Sequence, residues 1–486
     1  MENKKKQGYS TVKIAGLFLG LAAAAIILML PGISGLDAVG QKALALTALI
    51  VIWWITEPVP IWVAALLPYT VSPLIGLAGL KTTEQGVNVF ANYASPVVLM
   101  SIGVFLLAAV IEKWGLHKRI ALNIVAKVGS KPTRIIMGFA LATGFISMFM
   151  SNVTATAMML PIGIALLKQL GFDHESGFSK ALILAIAFAA SIGGMGTMIG
   201  SGTNIAGSAL MKDLASIDIT FVEWMKVGLP FVILFLPLSV IILNFVFKVK
   251  DAKIEDTDTI HRELKALGSM SKAEKLTAAY VVVAISGFVL MTQLKKVFPM
   301  LADENYAVLI GVALFLIPVD FKEGKFLMDS KTAIREISWS TYLLLGGALV
   351  LGDVFSKAGI AKWLASYMGF LANLPEIGVV IAVAVIVAFI TEFASNFVVA
   401  SAFLPPIYGI AVQLGINPML LMMTVTLSAS LAFMFPSGTP TNALAFGTGY
   451  IDIKDMVKGG FFVKLIGVVL FPVVFYFISA PLTSLF

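Results

Sequence analysis

The segment ISMFMSNVTATAMMLP at residues 146–161 has a counterpart in ITEFASNFVVASAFLP at residues 390–405, 244 positions later. Each segment is largely apolar and is interrupted by Ser-Asn, where an apolar helix would break. The apolar stretches that surround them, residues 132–170 and 375–415, are too short for two full membrane crossings with a loop. We therefore predict two re-entrant helical hairpins, each of which enters and leaves the membrane on the same side.

Other short motifs repeat in the same order along the chain. They are Gly103 with Gly347, Gly115 with Gly359, and Gly200-Ser201-Gly202-Thr203-Asn204 with Gly438-Thr439-Pro440-Thr441-Asn442. Five predicted crossings separate the two hairpins, and this odd number turns the second copy upside down. A single glycine would indicate only close helix packing. Inverted repeats with broken helices, however, are typical of secondary transporters, whose sites lie near the membrane midplane.

The composition indicates a polytopic membrane protein with an all-α fold. Of 486 residues, 59% are hydrophobic and 13% are charged, whereas a soluble domain has about 25% charged residues. The absence of cysteine excludes disulfides, thiolate zinc sites and iron–sulfur clusters. A crossing needs about 20 apolar residues, and eleven transmembrane helices are predicted, near 13–31, 41–57, 59–78, 95–112, 180–199, 227–247, 276–293, 304–318, 338–356, 418–436 and 461–484.

Basic residues collect near 113–134, 248–275 and 322–335, as they do in cytoplasmic loops. With Lys4, Lys5 and Lys6 inside, the N-terminus is predicted to be cytoplasmic and the C-terminus external, in the plasma membrane. This distribution explains the net charge of +7 without a nucleic-acid partner. The predicted organisation is an N-terminal span (1–40), a first inverted repeat (41–247), a cytoplasmic linker (248–275) and a second inverted repeat (276–486).

Helix breaks inside a membrane supply two kinds of binding group. Helix N-termini present N–H groups that favour anions. Free carbonyls and Ser, Thr and Asn oxygens favour a hard cation such as sodium. No Arg or Lys lies within the motifs, so a dianion there would need amides, hydroxyls, helix ends or co-bound cations to offset its charge.

Three stretches resemble the divalent anion/sodium symporter family, which carries di- and tricarboxylates: SNV at 151–153, TEFASNF at 391–397 and PSGTPTNALAFGTGYIDIKDMVKGGF at 436–461. The resemblance covers nearly all of the chain after the first span. It implies a homodimer in which scaffold spans hold the interface while a transport domain containing both hairpins moves like an elevator.

The resemblance also implies site residues. Substrate contacts would be Ser151, Asn152, Val153, Ser201, Ser395, Asn396, Phe397 and Thr439. A first sodium site would use Ser147, Ser151, Asn152 and Gly200, and a second would use Thr391, Ala394, Asn396 and Gly438. Sodium is the only ion implied, with no other cofactor.

The chain departs from the family at Val153 and Phe397, where the usual motif is Ser-Asn-Thr. Two hydroxyls are missing and a ring is added, which argues against a large substrate such as citrate. The predicted function is secondary active transport of C4-type dicarboxylates such as succinate, fumarate, malate and 2-oxoglutarate. Exchange of one dicarboxylate for another is favoured and sodium-coupled symport is the alternative. A channel or a membrane-embedded enzyme is a distant alternative, and enzymatic activity is not expected.

Two further residues carry expectations of their own. Glu392 lies within an apolar segment, where an ionisable group is by default a functional candidate. Capping a helix end or orienting the hairpin is the favoured role, ahead of a proton relay. Lys464 lies near the inner end of the last span, and snorkelling of its side chain to the membrane surface is predicted.

Overall fold

The computed structural model describes residues 10–77, 89–127, 131–249, 258–367, 373–479 and 481. The helices of the first half are α1 Thr11–Met29, α2 Ala38–Thr56, α3 Ile61–Ala64, α4 Leu67–Val71, α5 Val89–Asn92, α6 Pro96–Lys113, α7 Leu116–Lys127, α8 Pro132–Ser147, α9 Asn152–Gln169, α10 Gly177–Gly194, α11 Gly202–Ala215 and α12 Phe221–Val246. A short 3-10 helix at Met198–Gly200 precedes α11.

The second half has the same kind of arrangement. Its helices are α13 Asp258–Ala266, α14 Lys272–Val289, α15 Met291–Val297, α16 Asp303–Ala313, α17 Ser330–Glu336, α18 Trp339–Lys357, α19 Ile360–Tyr367, α20 Glu376–Ile390, α21 Asn396–Leu414, α22 Pro418–Ser428, α23 Pro440–Gly447 and α24 Ile453–Val474. A π-helical turn, Phe475–Ser479, follows α24, and strands β1 Pro318–Asp320 and β2 Lys325–Phe326 form an antiparallel ribbon between α16 and α17.

Among the described residues, eight helices are long and apolar enough to cross a membrane. The pair α14–α15, bent by 76°, makes a ninth candidate. The prediction of a helical, polytopic membrane protein is therefore confirmed. The count of eleven stays unconfirmed, because the predicted spans 59–78, 304–318 and 418–436 contain shorter helices: α3 with α4, α16 and α22.

Both predicted hairpins consist of two helices with a break at Ser-Asn. Residues 148–151 separate α8 from α9, and residues 391–395 separate α20 from α21. The Ser151 hydroxyl caps α9 by accepting the Thr154 N–H at 3.2 Å. Hydroxyl capping satisfies N–H groups that a helix start leaves free, which explains why the chain can resume a helix at this residue.

The 244-residue repeat is also a repeat of helix packing. A Cβ added to Gly103 on α6 would lie 1.9 Å from the Ala307 carbonyl oxygen of α16, and one added to Gly347 on α18 would lie 2.4 Å from that of Ala65. Both glycines therefore mark close helix crossings. In the same repeat, Gly115 and Gly359 end α6 and α18 with φ of 71° and 74°, which favours glycine.

Lys4, Lys5 and Lys6, on which the predicted orientation rests, lie outside the described residues, as do residues 250–257 of the predicted linker. Near the β ribbon, Lys113 at the end of α6 pairs with Asp329 at 2.7 Å. This ammonium, together with hydrogen bonds from Thr332, holds the pKa of Asp329 well below its usual range. The contact ties the end of α6 to the start of α17.

Candidate functional site

A cavity of about 550 Å³ lies between the tips of the two hairpins and three helices of the rest of the bundle. One wall consists of the hairpin tips and the two breaks near residues 200 and 439. The opposite wall is formed by α6, α17 and α18, with Phe105 and Leu344 among its apolar residues. All eight predicted substrate residues line the first wall: Ser151, Asn152, Val153, Ser201, Ser395, Asn396, Phe397 and Thr439. The structure thus brings residues from distant parts of the chain to one place.

An oxygen cluster lies behind the first hairpin tip. The Ser147 hydroxyl is 2.7 Å from both Asn152 Oδ1 and the Ala190 carbonyl oxygen. The Asn152 amide has two possible orientations. In the turned-over orientation its nitrogen donates to Ser147 Oγ at 2.7 Å, to the Ala190 carbonyl oxygen at 3.1 Å and to the Gly200 carbonyl oxygen at 3.2 Å. One amide atom of Asn152 is therefore surrounded by three oxygens. With the amide oxygen in that place, four oxygens converge as ligands suited to a hard cation.

The second hairpin repeats this cluster. The Thr391 hydroxyl lies 2.9 Å from Asn396 Oδ1 and 2.7 Å from the Ala429 carbonyl oxygen. Thr391 replaces Ser147, Asn396 replaces Asn152 and Ala429 replaces Ala190. Ala394 is buried and, as alanine, can contribute only its backbone oxygen. Both clusters therefore combine a hydroxyl, an amide and a carbonyl in the same order.

Two asparagines that the sequence motif contained, but that were not predicted as site residues, organise the breaks behind the clusters. Asn204 donates its amide to the carbonyls of Gly194 and Thr197, both at 2.8 Å. Asn442 donates to those of Ala432 and Phe435, both at 3.1 Å. The spacings of 10 and 7 residues are the same in both halves. The repeated final Asn of each motif could have revealed this role.

The hairpin wall of the cavity carries no charged side chain among the described residues, whereas Glu112, Arg335 and Glu336 lie on the opposite side. Four helices, α9, α11, α21 and α23, begin at this wall and direct their N-termini to it. Helix N-termini carry partial positive charge and free N–H groups. The wall is therefore suited to an anion held by dipoles and hydroxyls, with cations close behind it.

Val153 and Phe397 occupy different positions in the wall. The Val153 side chain is 40% exposed, whereas that of Phe397 is 8% exposed. A Cβ added to Gly202 would lie 3.7 Å from Cδ2 of Phe397 and 3.0 Å from Thr341 of α18. The ring thus packs beside the first residue of α11 and narrows the cavity between the two walls.

The prediction that Lys464 snorkels to the membrane surface is wrong. Its side chain is 1% exposed and forms an ion pair with Glu392, which is equally buried. Hydropathy places Lys464 near a span end but gives no information about a partner 72 residues earlier. The favoured role of Glu392 in orienting the hairpin agrees with this contact.

The chain matches the family described as "Sodium:sulfate symporter transmembrane region" over residues 11–485. Among its relatives is the sodium-dependent dicarboxylate transporter SdcS of Staphylococcus saprophyticus, 34% identical, with 99% of this chain and 94% of the relative covered. The protein of the same name from Staphylococcus aureus MRSA252 is 35% identical, covering 98% of this chain and 93% of the relative.

The fold resembles that in the crystal structure of the YdaH transporter of Alcanivorax borkumensis. The TM-score is 0.56 with 14% sequence identity, and 84% of this chain and 89% of that chain are covered. This likeness concerns the fold. The full-length family match and the two relatives confirm what the Ser-Asn motifs indicate: the chain belongs to the sodium:sulfate symporter transmembrane family and is a membrane transporter rather than an enzyme.

Proposed function

We propose that this protein is a secondary active transporter that carries C4-type dicarboxylates together with sodium. The observation that carries the proposal is the pair of equivalent oxygen clusters behind one cavity. Asn152 and Asn396 each belong to a cluster and also line the cavity. An anion and two cations bound there would share these two amides. The names of the relatives, sodium-dependent dicarboxylate transporters, support the same substrate class and ion.

The charge balance gives a physical reason for coupling. A dianion within the membrane is very costly unless its charge is compensated. In the described part of the chain, the hairpin wall offers hydroxyls and helix N-termini but no basic side chain. Sodium ions at the two clusters would supply the missing positive charge. In this proposal Ser147, Ser151, Asn152 and Gly200 hold one ion, and Thr391, Ala394, Asn396 and Gly438 hold the other.

The proposed substrates are small dicarboxylates: succinate, fumarate, malate and 2-oxoglutarate. Their carboxylates would accept from Ser151, Asn152, Ser201, Ser395, Asn396 and Thr439, which all line the cavity. Val153 and Phe397 add apolar surface in place of hydroxyls. The ring of Phe397 leaves less room for a third carboxylate, so citrate would be disfavoured.

Exchange of one dicarboxylate for another is the second candidate. It is favoured on sequence grounds by the missing hydroxyls at Val153 and Phe397. It ranks second because both oxygen clusters retain a hydroxyl, an amide and a carbonyl, and because the relatives are named as sodium-dependent. In an exchanger, the empty carrier would be unable to return, so uptake would require dicarboxylate on the other side.

The proposed mechanism moves the hairpin wall past the wall formed by α6, α17 and α18. The cavity lies between these two walls, so sliding one along the other would carry the site across the membrane like an elevator. The protein would act as a homodimer in the plasma membrane, with its N-terminus in the cytoplasm. The wall formed by α6, α17 and α18 would belong to the static scaffold.

The test is uptake of labelled succinate into proteoliposomes, with sodium and internal dicarboxylate varied independently. We expect concentrative uptake under an inward sodium gradient in liposomes that contain no dicarboxylate. Uptake that requires internal dicarboxylate and ignores the sodium gradient would establish exchange instead. Absence of uptake under both conditions would overturn the proposal.

A matched pair of variants makes this test specific. Thr391→Val removes a hydroxyl from the second cluster and should abolish the response to sodium. Thr424→Val removes a buried hydroxyl from the same half that only bonds to the Leu420 carbonyl, at 2.7 Å. It should leave sodium-driven uptake near that of the unmodified protein. Equal losses in both variants would indicate a general packing effect.

A further inference from the structure

Glu392 lies directly after Thr391, at the tip of the second hairpin, with its side chain buried. Its Oε1 accepts N–H groups from Phe433 at 2.9 Å and Met434 at 3.0 Å. Its Oε2 accepts from Met434 at 3.0 Å and from Phe435 at 3.1 Å. These three residues belong to the break between α22 and α23, so the carboxylate takes the place of helical hydrogen-bond partners.

The charge of this carboxylate is balanced by a lysine from another helix. Lys464 of α24 pairs with Glu392 Oε1 and donates to the Ala388 carbonyl of α20 at 2.6 Å. Both side chains are 1% exposed. Two charges that are buried this deeply persist only when they are paired and hydrogen-bonded. The pair therefore joins α20, α24 and the α22–α23 break at one point.

This point lies next to the second oxygen cluster but not in the cavity. Neither Glu392 nor Lys464 lines the cavity, so neither would touch the substrate. A Cβ on Gly438, a predicted cation ligand, would be 3.2 Å from Glu392 Oε2. Phe435, which donates to Glu392 Oε2, also accepts the Gly438 N–H at 3.2 Å, so the carboxylate is linked to the backbone of Gly438 through one residue.

Among the described residues, no carboxylate supports the first hairpin in this way. In the 244-residue repeat, Met148 stands where Glu392 stands in the second copy. The corresponding amides bond within the backbone instead: the Met195 N–H donates to the Ile192 carbonyl at 3.1 Å and the Gly196 N–H to the Gly193 carbonyl at 2.9 Å. The Thr197 hydroxyl adds a neutral hydrogen bond to the Met148 carbonyl at 2.5 Å. The two oxygen clusters are thus alike in composition but are held by very different surroundings.

We propose that Glu392 and Lys464 form a positioning pair that keeps the Thr391–Asn396 cluster in shape before a cation binds. The shape of the second cluster then depends on this pair, whereas the break behind the first cluster is held by backbone hydrogen bonds. The inference rests on the proposed function, in which both clusters bind sodium. Groups that hold metal ligands from behind determine affinity because they reduce the reorganisation that binding requires.

Hydrogen exchange measured by mass spectrometry tests the proposal, since it reports local opening of the breaks. The purified full-length protein is compared in sodium buffer and in sodium-free buffer that contains a large organic cation. In the unmodified protein, the amides of residues 433–435 should be protected in both buffers. The amides of Met195 and Gly196, which are bonded within the backbone, should be protected in both buffers as well.

Glu392→Gln should loosen the second break alone. Residues 433–435 should exchange rapidly without sodium and regain protection with it, while the first break stays unchanged. Sodium-driven uptake should need about 10- to 100-fold more sodium, with an unchanged KM for succinate at saturating sodium. The matched control, Thr197→Val, removes the hydrogen bond to Met148 in the first half and should affect the first break alone.

The double variant Glu392→Gln, Lys464→Met leaves no unpaired buried charge, so it covers the case in which the single variant folds poorly. It should show the same sodium-dependent exchange at 433–435. Three outcomes would overturn the proposal. Residues 433–435 of Glu392→Gln could stay protected without sodium, or exchange could become faster throughout the molecule. The third is that sodium fails to restore the protection of residues 433–435 in the variants. Failure of the proposed function would appear separately, as absent uptake by the unmodified protein.

Discussion

Asn152 and Asn396 are the residues on which the site depends most. An asparagine amide offers one acceptor oxygen and two donor hydrogens. Each of these amides lies beside a hydroxyl of its oxygen cluster and also lines the cavity. One side chain could therefore bind a cation through its oxygen and an anion through its N–H groups.

We expect Asn152→Asp and Asn396→Asp each to abolish succinate uptake while the protein remains folded. The substitution preserves size but replaces the donor by a negative charge beside the bound dianion. Uptake in proteoliposomes measures the loss, and size-exclusion chromatography of the purified variants checks the fold. Near-normal uptake by both variants would remove these residues from the site.

Phe397→Thr should broaden the range of substrates. The change removes a ring that narrows the cavity and restores a hydroxyl, so bulkier acids such as citrate should compete with labelled succinate. Val153→Thr, which restores only a hydroxyl, should tighten succinate binding by roughly 0.5 to 1.5 kcal/mol, the net contribution of a hydrogen bond. An unchanged competition profile in Phe397→Thr would mean that the ring does not face the substrate.

At this scale the sequence indicated the side chains but not the backbone groups. Ser151, Asn152, Ser395 and Asn396 stand out because polar residues are rare in apolar helices. The carbonyls of Ala190 and Ala429 could not be identified, because every residue has a carbonyl and only the fold decides which ones become free. The pairing of Lys464 with Glu392 was also hidden, because only the fold brings together two side chains that lie 72 residues apart.

At the scale of helices, the repeat consists of close crossings as well as motifs. Gly103→Ala or Gly347→Ala would place a Cβ within 2.4 Å of a backbone oxygen, which forces the helices apart. We expect each change to destabilise the protein by roughly 1 to 3 kcal/mol or more, seen as a lower melting temperature of the purified protein. Gly447→Ala, whose Cβ would meet nothing within 4 Å, is the control. A normal melting temperature in the first two variants would contradict the crossings.

The hairpins could be predicted from sequence, whereas the number of spans could not be fixed. A window of about 19 residues averages hydropathy, so it overlooks turns that contain few polar residues. The segment 59–78 looks like one span, but Pro60, Pro68 and Pro73 limit it to the short helices α3 and α4. The break at Ser-Asn could be recognised in the sequence because both residues are polar within an apolar segment.

At the scale of the whole molecule, the orientation in the membrane stays a prediction that the chain makes easy to test. Because the sequence contains no cysteine, each introduced thiol is the only cysteine in this protein that a maleimide can label. A membrane-impermeant maleimide should label Ser34→Cys on intact cells and Lys322→Cys only after the cells are opened. Both positions are exposed in the described structure. The reverse pattern would invert the predicted topology.

The two walls of the cavity have a pharmacological consequence. A dicarboxylate with a bulky apolar tail could keep its carboxylates at the hairpin tips while the tail packs on Phe105 and Leu344 opposite. Because the proposed motion slides one wall past the other, a molecule that binds both walls would block the motion and would not be transported. We expect such compounds to inhibit succinate uptake without being accumulated themselves, and Leu344→Ala to weaken that inhibition while sparing succinate transport. Contact with the wall formed by α6, α17 and α18 would thus distinguish an inhibitor from a transported substrate.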